Sequence, residues 1–184
     1  MLYMNNVVAE PDIPDDTGIA IEYKIPQTSK RIDFILTGIG EENRKTAILI
    51  ELKQWSEAES TTMDGIVRTF VGGNIREVSH PSYQVWSYAT LLEDYNTGVQ
   101  NENISLIPCA YLHNYEPDGV ITSDFYKEYI DKAPVFLRPD AIKLREFIKK
   151  FVKKGDLGEL LYTIEHGKIR PSKALADSLA SMLE

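Results

Sequence analysis

The sequence predicts an α/β domain: a small mixed sheet with helices on both sides, followed by a helical extension. Three observations carry this. Ile- and aromatic-rich segments bounded by turn residues fall at 18–25, 31–37, 45–53 and 103–112. A stretch with apolar residues at helical spacing, 80–95, separates the third segment from the fourth. Another, 139–155, has Pro at its start and Gly at its end, the usual helix asymmetry.

Taken in chain order, "MLYMNNVVAE" is a short, mostly apolar opening with one acid, Glu10, and "EPDIPDDTG" (10–18) is a turn-rich entry. "GIAIEYKI" and "RIDFILT" read as the first two strands, separated by "PQTSK". "GIGEENR" (38–44) supplies a hairpin loop, and "KTAILIELK" is the third strand. After the polar stretch 54–65, "IVRTFVGGNIREVSH" centres on Gly72-Gly73-Asn74, a hairpin turn. "HPSYQVWSYATLLEDY" is a helix with Pro81 in its first turn and Ser79 or His80 as cap. Its apolar stripe is Val85, Trp86, Ala89 and Leu92. "NISLIPCAYL" is the fourth main strand, and helices follow at 139–155, 156–167 and 171–184. The division expected is a core over 1–138 and a helical extension of the same domain over 139–184.

A chain of 184 residues with 43% apolar content can bury a sizeable core. No run approaches the ~18 apolar residues of a membrane span, and no signal peptide opens the sequence. Cys109 is the one cysteine, which excludes a disulfide framework and cysteine-rich metal sites. A reduced, cytoplasmic setting is the simplest reading. The net charge of −8 argues against a general DNA-coating protein. Basic residues nevertheless gather in "KLREFIKKFVKK" (143–154), which reads either as a face for phosphates or as a solvated helix surface.

The chemistry concentrates at the end of the third strand. Alternation puts Glu51 and Lys53 on one face. If the loop between strands two and three centres near residue 42, Asp33 stands across from Glu51. Opposed carboxylates repel unless something compensates, and a hard divalent cation does so. A lysine beside them adds a positive charge and a proton donor. Such a set suits phosphodiester hydrolysis, which needs an activated water and neutralised phosphoryl and leaving oxygens. The acid-x-Lys triplet is unspecific by itself, since Glu22-Tyr23-Lys24 repeats it. An edge-strand ion pair is the plain alternative. Gln84 and Tyr88, four apart, share a helix face; the plain alternative is a half-buried tyrosine with a glutamine at the rim.

Other residues are weaker candidates. Lys30 and Arg31 precede Asp33 and can bind phosphate or sit in a solvated turn. Arg68 and Arg76 flank the glycine hairpin, which can grip a strand or be a plain surface hairpin. His80 is a catalytic helper or a cap. His113 lines a cleft or a loop, and His166 looks like a helix end. Trp86 and the tyrosines at helical spacing read as core rather than as base-stacking platforms. No histidine pair has zinc spacing, and no nucleophilic serine motif occurs.

Asp33, Glu51-Leu-Lys53 and Gln84-Val-Trp-Ser-Tyr88 together resemble the PD-(D/E)XK nuclease superfamily, in the branch ending in Gln-x-x-x-Tyr, over about residues 18–112. Longer strings, "IEYKIPQTSKRIDFILTG", "HPSYQVWSYATLLEDYN", "PCAYLHNY" and "IRPSKALADSLASML", resemble the nuclease-like region that precedes a Schlafen-related helicase-type ATPase in bacterial proteins. The resemblance implies a restriction-endonuclease-like fold acting on DNA, or on RNA. It also implies a C-terminal ATPase partner beyond the helical extension, with roles in phage defence, recombination or repair. By position, Asp33 and Glu51 would hold Mg²⁺ or Mn²⁺ with the Leu52 carbonyl. Lys53 would position or activate water, and Gln84 and Tyr88 would support the site or touch the nucleic-acid backbone. Lys30, Arg31, Arg68, Arg76 and His80 would meet the nucleic acid. The family's helix before the first strand, with its acid, has no clear counterpart. Glu22 is the substitute: a first hairpin centred between residues 27 and 28 puts it across from Asp33, unless it pairs at the surface with Lys24 or Arg31.

Overall fold

The computed structural model describes residues 2–9 and 11–183, so Glu10 lies outside the described residues. Strands β1 (Gly18–Lys24), β2 (Arg31–Ile39) and β3 (Lys45–Lys53) form an antiparallel meander. β3 then pairs in parallel with a later strand, β7 (Ser105–Leu112), which pairs in parallel with β8 (Val135–Phe136). The mixed sheet runs β1-β2-β3-β7-β8. A separate ribbon, β4 (Glu59–Ser60), β5 (Ile66–Val71) and β6 (Asn74–Ser79), lies between β3 and the helices that cross to β7. Those helices are α2 (Pro81–Tyr95) and α3 (Thr97–Glu102).

Central strands read as near-continuous apolar runs because both faces are covered. On one face Ile35, Ala47 and Leu49 pack with Val85, Ala89 and Leu92 of α2, and with Leu160 and Ile164 of α6 (Glu159–Glu165). On the other, Phe34, Leu36, Ile48 and Ile50 pack with Met4 and Val7 of α1 (Leu2–Val8), and with Leu144 and Ile148 of α5 (Ala141–Phe151). Each fully buried Ile or Leu contributes about 1.5–3 kcal/mol. A third cluster, including Val67, Tyr115, Ile121 and Tyr126, seats the ribbon.

Several expectations are corrected. The opening segment is a helix, α1, held by buried Met4 and Val7 and by Arg145, which donates to the Asn6 and Val7 carbonyls. The helix expected at 139–155 begins with a 3₁₀ turn, Arg138–Asp140, and stops at Phe151. It stops because Lys153 and Lys154 turn back onto Ile39, whose carbonyl accepts the Lys153 N–H and whose N–H donates to Lys154 O, both at 2.8 Å. Between 113 and 138 the structure adds a 3₁₀ turn at Asp124–Tyr126, the helix α4 (Lys127–Lys132) and β8, none with a clear sequence signal. Much of the basic face at 143–154 serves the protein itself, with Lys149 2.9 Å from Asp12 and Lys143 3.6 Å from Asp140.

Asp156 fastens α6 to the meander. Its Oδ1 accepts the Gly18 and Gly158 N–H groups, and its Oδ2 accepts the Thr37 hydroxyl at 3.0 Å and the Leu160 N–H at 2.9 Å. A Cβ on Gly18 would stand 2.3 Å from Thr37 Oγ1, so this approach requires glycine. The last helix, α7 (Lys173–Leu183), buries none of its residues. Cys109 is fully buried on β7. Among the described residues no helix is long and apolar enough to cross a membrane.

Candidate active site

The β2–β3 register pairs Phe34 with Ile50, which carries Asp33 to the level of Glu51, as a loop centred on residue 42 requires. The paired ladder ends there. Beyond it the Leu52 N–H donates to Asp33 Oδ2 at 2.9 Å, so a side chain takes over from the backbone.

Asp33 is aimed by a local break in the sheet. The β1–β2 ladder pairs Ile21 with Phe34 and Tyr23 with Ile32 but skips Glu22 and Asp33, and Glu22 has φ +55°. Ile32 and Ile35 both pack on the α2 side, whereas Phe34 packs on the α5 side. Strict alternation therefore fails at Asp33. Strained backbone of this kind re-aims a side chain, and Glu22 has no glycine to relieve it. The Glu22 carboxylate turns to Arg31, 3.5 Å away, and is well exposed; the Arg31 guanidinium is 3.7 Å from Asp33 Oδ1. The surface pairing with Arg31 is thus the observed one, and Glu22 does not join Asp33 and Glu51 directly.

Glu51 is 3% exposed. Its Oε1 accepts from the Lys53 ammonium, 3.2 Å away. Its Oε2 is buried and finds no hydrogen-bond partner among the described residues. Burial pushes the carboxyl up to about 7; the Lys53 charge opposes the rise and the Asp33 charge adds to it. The apolar run 47–50 places this acid, because the strand stays in the core up to the residue that carries the charge.

Helix α2 supplies the opposite wall. His80 caps it, its Nδ1 accepting the Ser82 N–H at 3.1 Å. Four residues apart on that helix, Gln84 Nε2 donates to Tyr88 Oη at 2.8 Å. Burial raises the Tyr88 phenol, the Gln84 bond opposes this, and the negative Glu51 and Asp33 raise it further. Tyr88 and Gln84, with Lys30, Lys53, Trp55 and Tyr83, line a cleft of about 370 Å³. A larger cavity of about 690 Å³ opens around Arg44, Lys45 and Glu102. It contains none of the candidate residues, and its Lys45 and Glu102 are paired with each other.

Other expected residues fall apart from this group. His80 is fully buried, with Nε2 on the Ile121 carbonyl at 2.9 Å, so it is a cap and not a nucleic-acid contact. Arg68 is committed to Glu77 at 2.9 Å and Glu59 at 3.7 Å, and alternation puts it on the ribbon face opposite Val67. Arg76 shares its face with Val78, which lines the cleft. His113 stacks on Tyr3 at 3.7 Å, and His166 on Tyr162 at 3.8 Å. Trp55 carries no reading from the sequence, and Tyr83, read as core with the other tyrosines of its helix, is only partly buried and lines the cleft. The signals were Trp55 two positions after Lys53, and Tyr83 beside Gln84.

Among the described residues no three His, Cys, Asp or Glu side chains gather in a group suited to a metal ion. The donors on hand are two carboxylates, one with an unpartnered oxygen in a buried setting. Such a pair fits magnesium or manganese, since Mg²⁺ is usually held by one or two carboxylates, with waters and substrate phosphates filling its other positions. Glu22 adds nothing to this test, because it is turned to Arg31.

Comparison with protein-family models, with curated proteins and with solved structures found no match.

Proposed function

We propose that the protein is a metal-dependent nuclease with a restriction-endonuclease-like core that hydrolyses phosphodiester bonds of DNA, with RNA as the other candidate substrate. One observation carries the reading: the buried Glu51 carboxylate, one oxygen on Lys53 and the other unpartnered, at the level of Asp33. An ordinary surface ion pair does not bury an acid with an unmet oxygen. The order of the core elements, α1-β1-β2-β3-α2-β7 with the β4-β5-β6 ribbon inserted before α2 and α3 before β7, and the Gln84–Tyr88 pair on the facing helix support the sequence resemblance.

In this reading Asp33, Glu51 and the Leu52 carbonyl would hold Mg²⁺ or Mn²⁺, which supplies positive charge to the phosphoryl oxygens and to a bound water. Lys53 stands 3.2 Å from Glu51 and lines the cleft, where its ammonium group would meet a phosphoryl oxygen. Asp33 is held in place by the Leu52 N–H, so its carboxylate is positioned before substrate arrives. Tyr88 and Gln84 orient each other and form a polar wall for the backbone. Lys30 at the cleft and Arg31 beside Asp33 give the anionic strand an approach route.

The second reading is a nuclease fold that binds nucleic acid, or docks an ATPase, without cleaving. Its support is the count of acids: Glu22 pairs with Arg31, leaving Asp33 and Glu51 alone. The ATPase partner and the cytoplasmic setting rest on the sequence resemblance and the lone cysteine. Incubation of labelled DNA and RNA with Mn²⁺ decides between the readings. Cleavage lost on adding a chelator and in Glu51→Ala supports the nuclease; cleavage retained by Glu51→Ala removes it, and salt-dependent binding without cleavage leaves the second reading.

A further inference from the structure

The cleft beside Lys53 has aromatic walls that phosphate chemistry alone does not require. Trp55 follows β3 directly. Its ring packs partly on the cluster under the ribbon and lies 5.4 Å from the Lys53 ammonium. Across α2, Tyr83 lines the same cleft and is only partly buried. Its ring is fixed from behind by Tyr129, edge-on at 4.9 Å, and by Trp86 at 6.0 Å. Tyr129 is itself pinned by its hydroxyl to Asp64 at 2.7 Å. Gly65, at φ +67°, brings the backbone against both tyrosines; a Cβ there would meet the Tyr83 ring at 3.5 Å and the Tyr129 ring at 3.3 Å. Tyr83 is thus held rigid, Trp55 is packed in part on the ribbon cluster, and each is only partly buried.

We infer that this cleft is a base-stacking subsite, taking an unpaired nucleotide of a single-stranded nucleic acid against Trp55 and Tyr83 with its phosphate toward Lys53 and Lys30. The inference deepens the nuclease reading and rests on it only for the phosphate's fate. Stacking is tolerant of base identity, because every base has a π-face, and it is characteristic of single-strand recognition. A base paired within a duplex has its faces covered by its neighbours and reaches such walls only by leaving the stack. The volume of about 370 Å³ sits at the small end of ligand-sized cavities. That suits one nucleotide unit rather than a duplex. Immobilised rings cost little further ordering on binding.

The test uses a metal-free buffer with chelator, so that binding is read without cleavage. Trp86→Phe leaves Trp55 as the one tryptophan, because the chain has two. A single-stranded oligonucleotide is expected to quench Trp55 emission and to bind at least tenfold more tightly than the duplex of the same sequence. Trp55→Ala should weaken single-strand binding about tenfold or more, and Trp55→Phe should restore most of it. Tyr83→Phe should bind like the unaltered protein, and Tyr83→Ala should weaken binding. Equal affinity for duplex and single strand, or single-strand binding with unchanged Trp55 emission, overturns the inference. Mn²⁺ is then added to the same samples. Glu51-dependent cleavage of duplex without a single-strand preference sinks the subsite and spares the nuclease; quenching without cleavage does the reverse.

Discussion

The Lys53 ammonium lies 3.2 Å from one oxygen of Glu51, and the other oxygen of that carboxylate is buried with no hydrogen-bond partner among the described residues. The pair is therefore half-satisfied. A buried carboxylate in this state costs stability unless it is protonated or meets a cation.

The first prediction concerns activity. Asp33→Ala, Glu51→Ala and Lys53→Ala should each reduce Mn²⁺-dependent cleavage at least a hundredfold while circular dichroism stays unchanged. A Lys53→Ala protein that cleaves normally would remove the lysine from the chemistry.

The second concerns pH in the absence of metal. Burial raises the folded-state value of Glu51 from 4.5 to about 7. Between those values the folded protein holds a proton that the unfolded chain has released, so the contribution is full below pH 4.5 and lost as pH rises through about 7. The stability of the unaltered protein relative to Glu51→Gln should fall across that window by up to about 3 kcal/mol. His80 runs the opposite way: burial lowers it from 6.5 to about 4, so its contribution is full above pH 6.5 and lost as pH falls toward 4. The two slopes offset each other where they overlap, and only the difference from Glu51→Gln isolates the acid. Urea denaturation over a pH series measures it, and a flat difference curve would contradict the burial of Glu51.

Third, Asp33→Asn keeps an oxygen for the Leu52 N–H and removes the charge next to Glu51. Without metal it should melt roughly 2–4 °C higher, equivalent to about 1 kcal/mol for a domain of this size. Added Mn²⁺ should stabilise the unaltered protein and not this variant. A lower melting point without metal would assign Asp33 a structural role instead.

Fourth, Asp156→Ala removes acceptors for two backbone N–H groups around Gly158 and for Thr37 and Gly18. A loss of about 2–4 kcal/mol is expected, with the metal dependence of cleavage intact at low temperature. Full stability in that variant would show the clasp to be dispensable.

Much of the central sheet was legible because β1, β2 and β3 are Ile-rich and joined by short loops, so each hairpin's centre fixes its register. That arithmetic brought Asp33 level with Glu51. It did not reveal that the ladder breaks at Glu22 and Asp33, since a positive φ at a glutamate leaves no mark on the sequence. The region 113–138 was illegible because its elements are two to six residues long and are placed by Tyr115, Ile121 and Tyr126 in a distant cluster. The end of α5 was misjudged because a long-range bridge from Lys154 to Ile39 overrides the helical pattern. Trp55 is not legible as a cleft residue because one ring after a strand reads as core, and only the fold brings it into the cleft that Tyr83 of α2 also lines.

Cys109 lies fully buried on β7, and its surroundings push the thiol far from the ionised form that alkylating dyes need. Maleimide reagents should therefore ignore the native chain. A cysteine introduced at exposed Ser29 or Ser56 would carry a fluorophore at one defined place, with no background substitution to make first.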